Sequence, residues 1–231
     1  MADYFIIGGS SGIGLELSRH LAGEGHRVYA TGNTHTLSDS GSLTYHQLNV
    51  MDDHWELGFL PEKLDGLVYC PGSISLRPFG RIQPTDYVAD FRLNVVGAIR
   101  SVQAVQAKLR NGQNPSVLFF STVAVQLGLP FHSMVAASKG ALEGLTRSLA
   151  AELAPVIRVN CIAPSLTDTP LAASLVNTEE KKEANAQRHP LKRIGDVSDI
   201  ANYAGFLLSD KASWVTGQVV SVDGGMSRIK L

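Results

Sequence analysis

Cysteine and aromatic residues are both scarce in this chain, with two cysteines among 231 residues and only 7% Phe, Trp and Tyr. Two thiols cannot supply the disulfide framework of a small secreted domain. An excess of one charge is equally lacking, because 20 Lys and Arg stand against 21 Asp and Glu for a net charge of −1. Polyanion-binding proteins usually carry a basic excess or stripe, so no nucleic-acid partner is expected. No apolar run reaches the roughly 18 residues of a membrane-spanning helix. Strand-like residues follow directly at the N-terminus, so neither membrane insertion nor a signal peptide is expected. No His, Cys and Asp grouping has metal-ligand spacing. Internal repeats, and linkers rich in Pro, Ser or charge, are also missing.

What is present is 44% apolar residues, gathered into short runs that alternate with helix-period segments. Tyr4–Ile7, Arg27–Thr31, Leu43–Val50, Leu67–Cys70, Val117–Ser121, Val156–Ile162 and Gln218–Val222 read as strands. Helical spacing marks Ile13–Leu21, Asp86–Leu109, Val135–Leu153 and Val197–Leu208. The run Glu179–Glu183 reads as a solvated helix face. Wholly apolar strands separated by helices predict parallel strands covered on both faces. Right-handed crossovers then give an α/β, Rossmann-like doubly wound sheet of about seven strands. One domain spanning residues 1–231 and a cytoplasmic location are the corresponding expectations.

The 22 glycines are not scattered evenly. Gly8, Gly9, Gly12 and Gly14 fall between the first strand and the first helix, in Ile7-Gly8-Gly9-Ser10-Ser11-Gly12-Ile13-Gly14. Glycine lets a backbone turn tightly and approach a pyrophosphate, and the helix N-terminus offers free N–H groups. Such a turn is also compatible with a merely tight connection. Its position in a βαβ pattern favours nucleotide binding.

The segment resembles the T-G-x-x-x-G-x-G signature of the short-chain dehydrogenase/reductase family, in its ordinary branch, with Ile7 in place of Thr. The resemblance continues through Leu93-Asn94-Val95, Ser138-Lys139-Gly140-Ala141-Leu142, Arg158–Pro164, Val215–Gln218 and Val222-Asp223-Gly224-Gly225, in family order. It implies a nicotinamide cofactor held by Gly8, Ser10, Ser11, Gly12, Ile13 and Gly14, with Asn49 and Val50 beside the adenine. It further assigns Cys70, Pro71 and Gly72 to the adenosine ribose, and Pro164, Ser165, Thr167 and Thr169 to the nicotinamide end. Residues 166–188 resemble the family's mobile substrate lid. The resemblance also implies a homodimer or homotetramer and a small-molecule substrate. After the second strand no acid follows, only Asn33, Thr34 and His35. An Asp or Glu there would hydrogen-bond an unphosphorylated ribose, so NADP(H) is expected over NAD(H).

The family's catalytic set is Asn, Ser, Tyr and Lys. Asn94 and Lys139 match, and Lys139 would also hold the cofactor ribose. Four residues before Lys139 stands Val135, where the family has Tyr, and thirteen before Val135 stands Thr122, where it has Ser. Thr keeps the hydroxyl, with Ser121 an adjacent fallback. Val cannot move a proton. Tyr69-Cys70-Pro71-Gly72 likewise departs from the family's Asn-Asn-Ala-Gly. Replacement donors rank as His132, then a water held by Asn94 and Lys139, then Tyr69. His132 lies three residues before Val135 and seven before Lys139, on one face if the helix begins there. Ser133 is expected to cap that helix, and Cys70 and Cys161 to be inert buried thiols at strand ends. Two functions fit: an NADP(H)-dependent oxidoreductase with an altered proton donor, or a non-catalytic NADP(H)-binding homologue acting as sensor, scaffold or partner subunit.

Overall fold

The computed structural model describes residues 1–34 and 37–230. Seven parallel strands form one sheet: β1 (Asp3–Ile7), β2 (Arg27–Gly32), β3 (Leu43–Gln47), β4 (Gly66–Tyr69), β5 (Ser116–Phe120), β6 (Arg158–Pro164) and β7 (Val219–Val222), ordered β3-β2-β1-β4-β5-β6-β7. The doubly wound fold expected from the strand–helix alternation is therefore present. Along β1 every residue is buried, and successive side chains enter opposite layers. Phe5 and Ile7 pack with α3 (Gly97–Arg110) and α5 (Ser133–Leu153) through Val102, Val105, Leu142 and Leu153. Tyr4 and Ile6 pack with α1 (Gly12–Gly23) and α8 (Val197–Leu208) through Leu17, Leu21, Ile200 and Leu207. No helix among the described residues is long and apolar enough to cross a membrane.

The chain winds outward from β1 to β3, then returns to place β4 on the other side of β1. At such a switch point the connections leave in opposite directions and open a crevice at the carboxyl ends of the strands. The cleft described below lies there.

Most element ends shift by a residue or two from the sequence expectation, and a few shifts are larger or bear on the site. β3 ends at Gln47, and Leu48 through Val50 form the cleft-side connection. β6 begins at Arg158, after a turn in which Val156 and Ile157 both bond back to Leu153. β6 also runs on to Pro164, so Cys161 lies inside it rather than at its end. The long helix expected over Asp86–Leu109 is three pieces: α2 (Pro84–Phe91), a π-helical turn at Arg92–Val96, and α3. Here Tyr69 donates from its hydroxyl to Leu93 O, inside the π-helical turn, at 2.6 Å. Gly97 leaves room for the phenol, since a Cβ there would run into the Tyr69 hydroxyl.

Candidate active site

A cleft of about 710 Å³ runs along the carboxyl edge of the sheet, from the glycine turn after β1 to the segment after β6. At the first end its wall is backbone. Ser11 is extended and precedes α1 without using its side chain as a cap, so the first N–H groups of the helix remain available. Gly12 has φ +52° and faces Thr169, and any Cβ on Gly14 would be driven into Gly8 O. The turn is thus a cradle that side chains would fill, which fits a pyrophosphate seated on a helix N-terminus.

All but two of the candidate cofactor residues line this cleft: Gly8, Ser10, Ser11, Gly12, Ile13, Gly14, Asn33, Thr34, Asn49, Val50, Cys70, Pro71, Gly72, Lys139, Pro164, Ser165, Thr167 and Thr169. His35 lies outside the described residues. Asn94 is fully buried and stands behind Gly72 rather than in the wall. Asn33 and Thr34 are exposed at the mouth, as a ribose-phosphate recognition pair would have to be.

At the other end the wall is side chains. Lys139 is 7% exposed and donates from Nζ to Phe120 O at 2.9 Å. Burial lowers its pKa from the ordinary lysine value, opposed by Cys161, Asp90 and Cys70. Both Nζ and Asn94 Oδ1 approach the bare Cα of Gly72, lying 3.2 and 3.3 Å from where a Cβ would stand. Asn94 Oδ1 has no partner among the described residues, whereas its Nδ2 donates to Asp90 O at 2.9 Å. Thr122 lines the cleft, and its Oγ1 accepts the Ala124 N–H at 3.3 Å, leaving its own proton to give. Ser121 is committed elsewhere, donating to Glu143 Oε1 at 2.7 Å in the core.

Val135 and His132 also line the cleft, the former buried and the latter half-buried. His132 occupies the cap position of α5 and Ser133 the first helical residue, so the expected Ser133 cap is corrected. The Pro130 carbonyl can only accept, so His132 Nδ1 carries the proton of their 2.6 Å hydrogen bond. Nε2 is left as the free nitrogen. Tyr69 is buried in the α3/α5 layer, outside the cleft wall, with its hydroxyl held by Leu93 O. Burial raises its pKa well above that of a free phenol. It is removed as a donor by position and by acidity. The thiols of Cys70 and Cys161 are pushed up to about 12 by burial, as inert thiols should be.

Three cleft-associated groups were not singled out from sequence. Asp90 is buried beneath Ser73 and Ser138, and its position one helical turn before Asn94 was the available signal. Ser73 lines the cleft beside Gly72. His189, 3% exposed, shares a 2.8 Å hydrogen bond with Ser165 Oγ, and its Nδ1 donates to Asn185 O at 2.8 Å. Twenty-four residues separate this pair, so no local pattern reveals it.

A family profile described as enoyl-(acyl carrier protein) reductase matches residues 8–227. The chain is 34% identical to an L-xylulose reductase of Bos taurus, over 95% of this chain and 94% of that protein. It is 32% identical to a 3-oxoacyl-acyl-carrier-protein reductase of Thermotoga maritima, over 96% of each. Among solved structures, the ligand-free aldohexose dehydrogenase of Thermoplasma acidophilum superposes with a TM-score of 0.90 at 25% identity, over 100% of this chain and 96% of that one. Glycine turn, buried lysine and sheet order agree with these likenesses, and the chain belongs to the short-chain dehydrogenase/reductase family of oxidoreductases.

Proposed function

We propose that the protein is an NADP(H)-dependent oxidoreductase that transfers hydride to or from a small carbonyl or enone substrate, with a proton donor other than tyrosine. The observation that carries this is the meeting, in one cleft, of a side-chain-free glycine cradle with buried Lys139 and the hydroxyl of Thr122. The named reductases among its relatives act on a sugar and on an oxoacyl group, which supports a carbonyl substrate.

The cradle at Gly8–Gly14 would hold the pyrophosphate, Asn33 and Thr34 the 2′-phosphate, and Lys139 the nicotinamide ribose. When bound, the cofactor supplies or receives the hydride. The chain itself must position the substrate oxygen and move one proton. Thr122 has a hydroxyl proton free to hydrogen-bond that oxygen. Val135 contributes only an apolar wall, which excludes water but cannot donate. His132 is the proposed donor: it lines the cleft, and with Nδ1 bound to Pro130 O the imidazolium would carry its transferable proton on Nε2. Residues 166–188 form the proposed lid, carrying the short helices α6 (Ala173–Val176) and α7 (Glu179–Ala186). Ser133 hydrogen-bonds Tyr87 across α2 and α5 at 2.9 Å and takes no part.

Titration with NADPH and NADH by fluorescence, followed by NADPH absorbance over ketones, quinones and enones, tests the assignment. Tight NADPH binding and turnover on one class are expected. Tight binding without turnover on any of them favours the second reading, a cofactor-binding homologue without redox activity, for which Val135 is the specific argument. His132→Ala is expected to slow reduction and flatten its decline with rising pH; an unchanged profile removes His132.

A further inference from the structure

Behind the cleft floor lies a buried carboxylate that the proposed chemistry does not use. Asp90, in the last turn of α2, is 6% exposed. Ser73 Oγ, on the loop after β4, donates to its Oδ1, and Ser138 Oγ, immediately before Lys139 on α5, donates to Oδ2 at 2.6 Å. Asn94 Nδ2 reaches Ser73 Oγ at 3.4 Å, so the Ser73 proton is the one that points at Asp90. Both carboxylate oxygens therefore accept, which is the hydrogen-bond pattern of an ionised group.

Among the described residues, Asp90 has no salt-bridge partner, and neither has Lys139. Two buried opposite charges thus share one small region, joined through Ser138, Asn94 and the Gly72–Ser73 loop. An isolated buried ammonium is costly and tends to lose its proton. The groups facing Lys139 from neighbouring elements are Cys161 on β6, Cys70 after β4 and Asp90 on α2. One turn further along α5, the carboxylate of Glu143 accepts from Ser121, and it is not among the charges that act on Lys139. Both thiols stay protonated until about pH 12, so they offer no negative charge near neutrality. The anion that faces the ammonium is Asp90.

We propose that Asp90 is a positioning residue of the cleft, whose carboxylate keeps Lys139 charged and, through Ser73 and Ser138, fastens the Gly72 loop to α5. Its consequence for cofactor binding rests on the reading of Lys139 as a ribose-holding residue; the charge coupling itself does not. The substitution Asp90→Asn keeps the shape, removes the charge and turns one of the two acceptors into a donor, so that Ser73 or Ser138 must rotate its hydroxyl to accept.

In the full chain labelled with 13C-lysine, the Lys139 resonance is identified by its loss in Lys139→Met. Asp90→Asn is expected to move its titration midpoint down by at least about one pH unit, a tenfold change in proton affinity. A merely structural role would not move it, and coincident titrations overturn the proposal. Should Asp90→Asn not fold, the coupling is read in reverse. Lys139→Met must then raise the Asp90 midpoint in 13C-aspartate spectra, and an unmoved midpoint has the same overturning force. NADPH affinity in Asp90→Asn is expected to fall about tenfold at a lower pH than in the parent. If the parent does not bind NADPH at all, the cofactor reading fails while the lysine titration still decides the coupling.

Discussion

At the Gly8–Gly14 end of the cleft the wall is made of backbone, whereas at the α5 end it is made of side chains, with Asn94 and Asp90 packed behind it. The first depends on what is missing: Gly14 leaves space for Gly8 O, and Ser11 leaves the N-terminus of α1 uncapped. The second depends on what is present: Lys139 on Phe120 O, Thr122, Asn94 on Asp90, and His132 on Pro130. A backbone cradle tolerates replacement of its outer residues, as Ile7 for Thr illustrates. A side-chain constellation can lose a single functional group while keeping its shape, which is the reading proposed for Val135. The fold and the cofactor cradle can therefore persist while the acid–base chemistry changes.

The sharpest test of this contrast restores the missing group. Val135→Tyr sets a phenol one helical turn before Lys139. If the α5 end retains its catalytic shape, ketone reduction should rise by roughly 10²–10⁴-fold, the usual contribution of a general acid. No gain on any ketone would mean that the side-chain end has departed in more than one residue. The matching test of the backbone end is Gly14→Ala. Forcing a methyl group against Gly8 O costs about 1–3 kcal/mol of overpacking, so NADPH affinity should drop roughly tenfold to a hundredfold by fluorescence titration. Unchanged affinity would show that the cradle does not hold the cofactor.

The same division explains what could be read from sequence. The sheet was legible because each strand is a short apolar run between turn signals, and the cradle because its glycines all fall within the one segment Gly8–Gly14. Asn94, Thr122 and Lys139 were proposed through family spacing, and of these Thr122 and Lys139 line the cleft. Spacing alone did not reveal that Asn94 lies behind Gly72 rather than in the cleft wall. The bond from the Tyr69 hydroxyl into the π-helical turn was hidden because its two residues lie 24 positions apart. Ser165 with His189, and Asp90 with Ser73 and Ser138, were hidden for the same reason. Periodicity records burial within an element, while these hydrogen bonds join separate elements.

Lys139 belongs to both ends, since it is proposed to hold the ribose while sitting in the side-chain constellation. Lys139→Met should weaken NADPH binding about tenfold to a hundredfold, the range for losing a charged hydrogen bond of about 1.5–3 kcal/mol. The pH dependence has a definite sign. Burial lowers the Lys139 pKa, so the bound ammonium is lost as pH rises, below the range in which free lysine deprotonates. Parent affinity should therefore decline toward alkaline pH, and Lys139→Met should lack that limb. A decline of equal steepness in the variant would assign it to another group.

The smallest effect is expected at the cleft mouth, where exposed Asn33 and Thr34 follow β2 and no carboxylate is present in Gly32-Asn33-Thr34. Asn33→Asp introduces an acceptor for ribose hydroxyls and a charge that repels a 2′-phosphate. One hydrogen bond at an exposed position is worth about 0.5–1.5 kcal/mol, so NADPH should weaken and NADH strengthen by only a fewfold to roughly tenfold each. The ratio of the two affinities is the informative quantity, because damage to the shared cradle would weaken both together. If the ratio does not move, phosphate selection does not reside at Asn33, and the backbone end of the cleft binds its cofactor without discriminating at that residue.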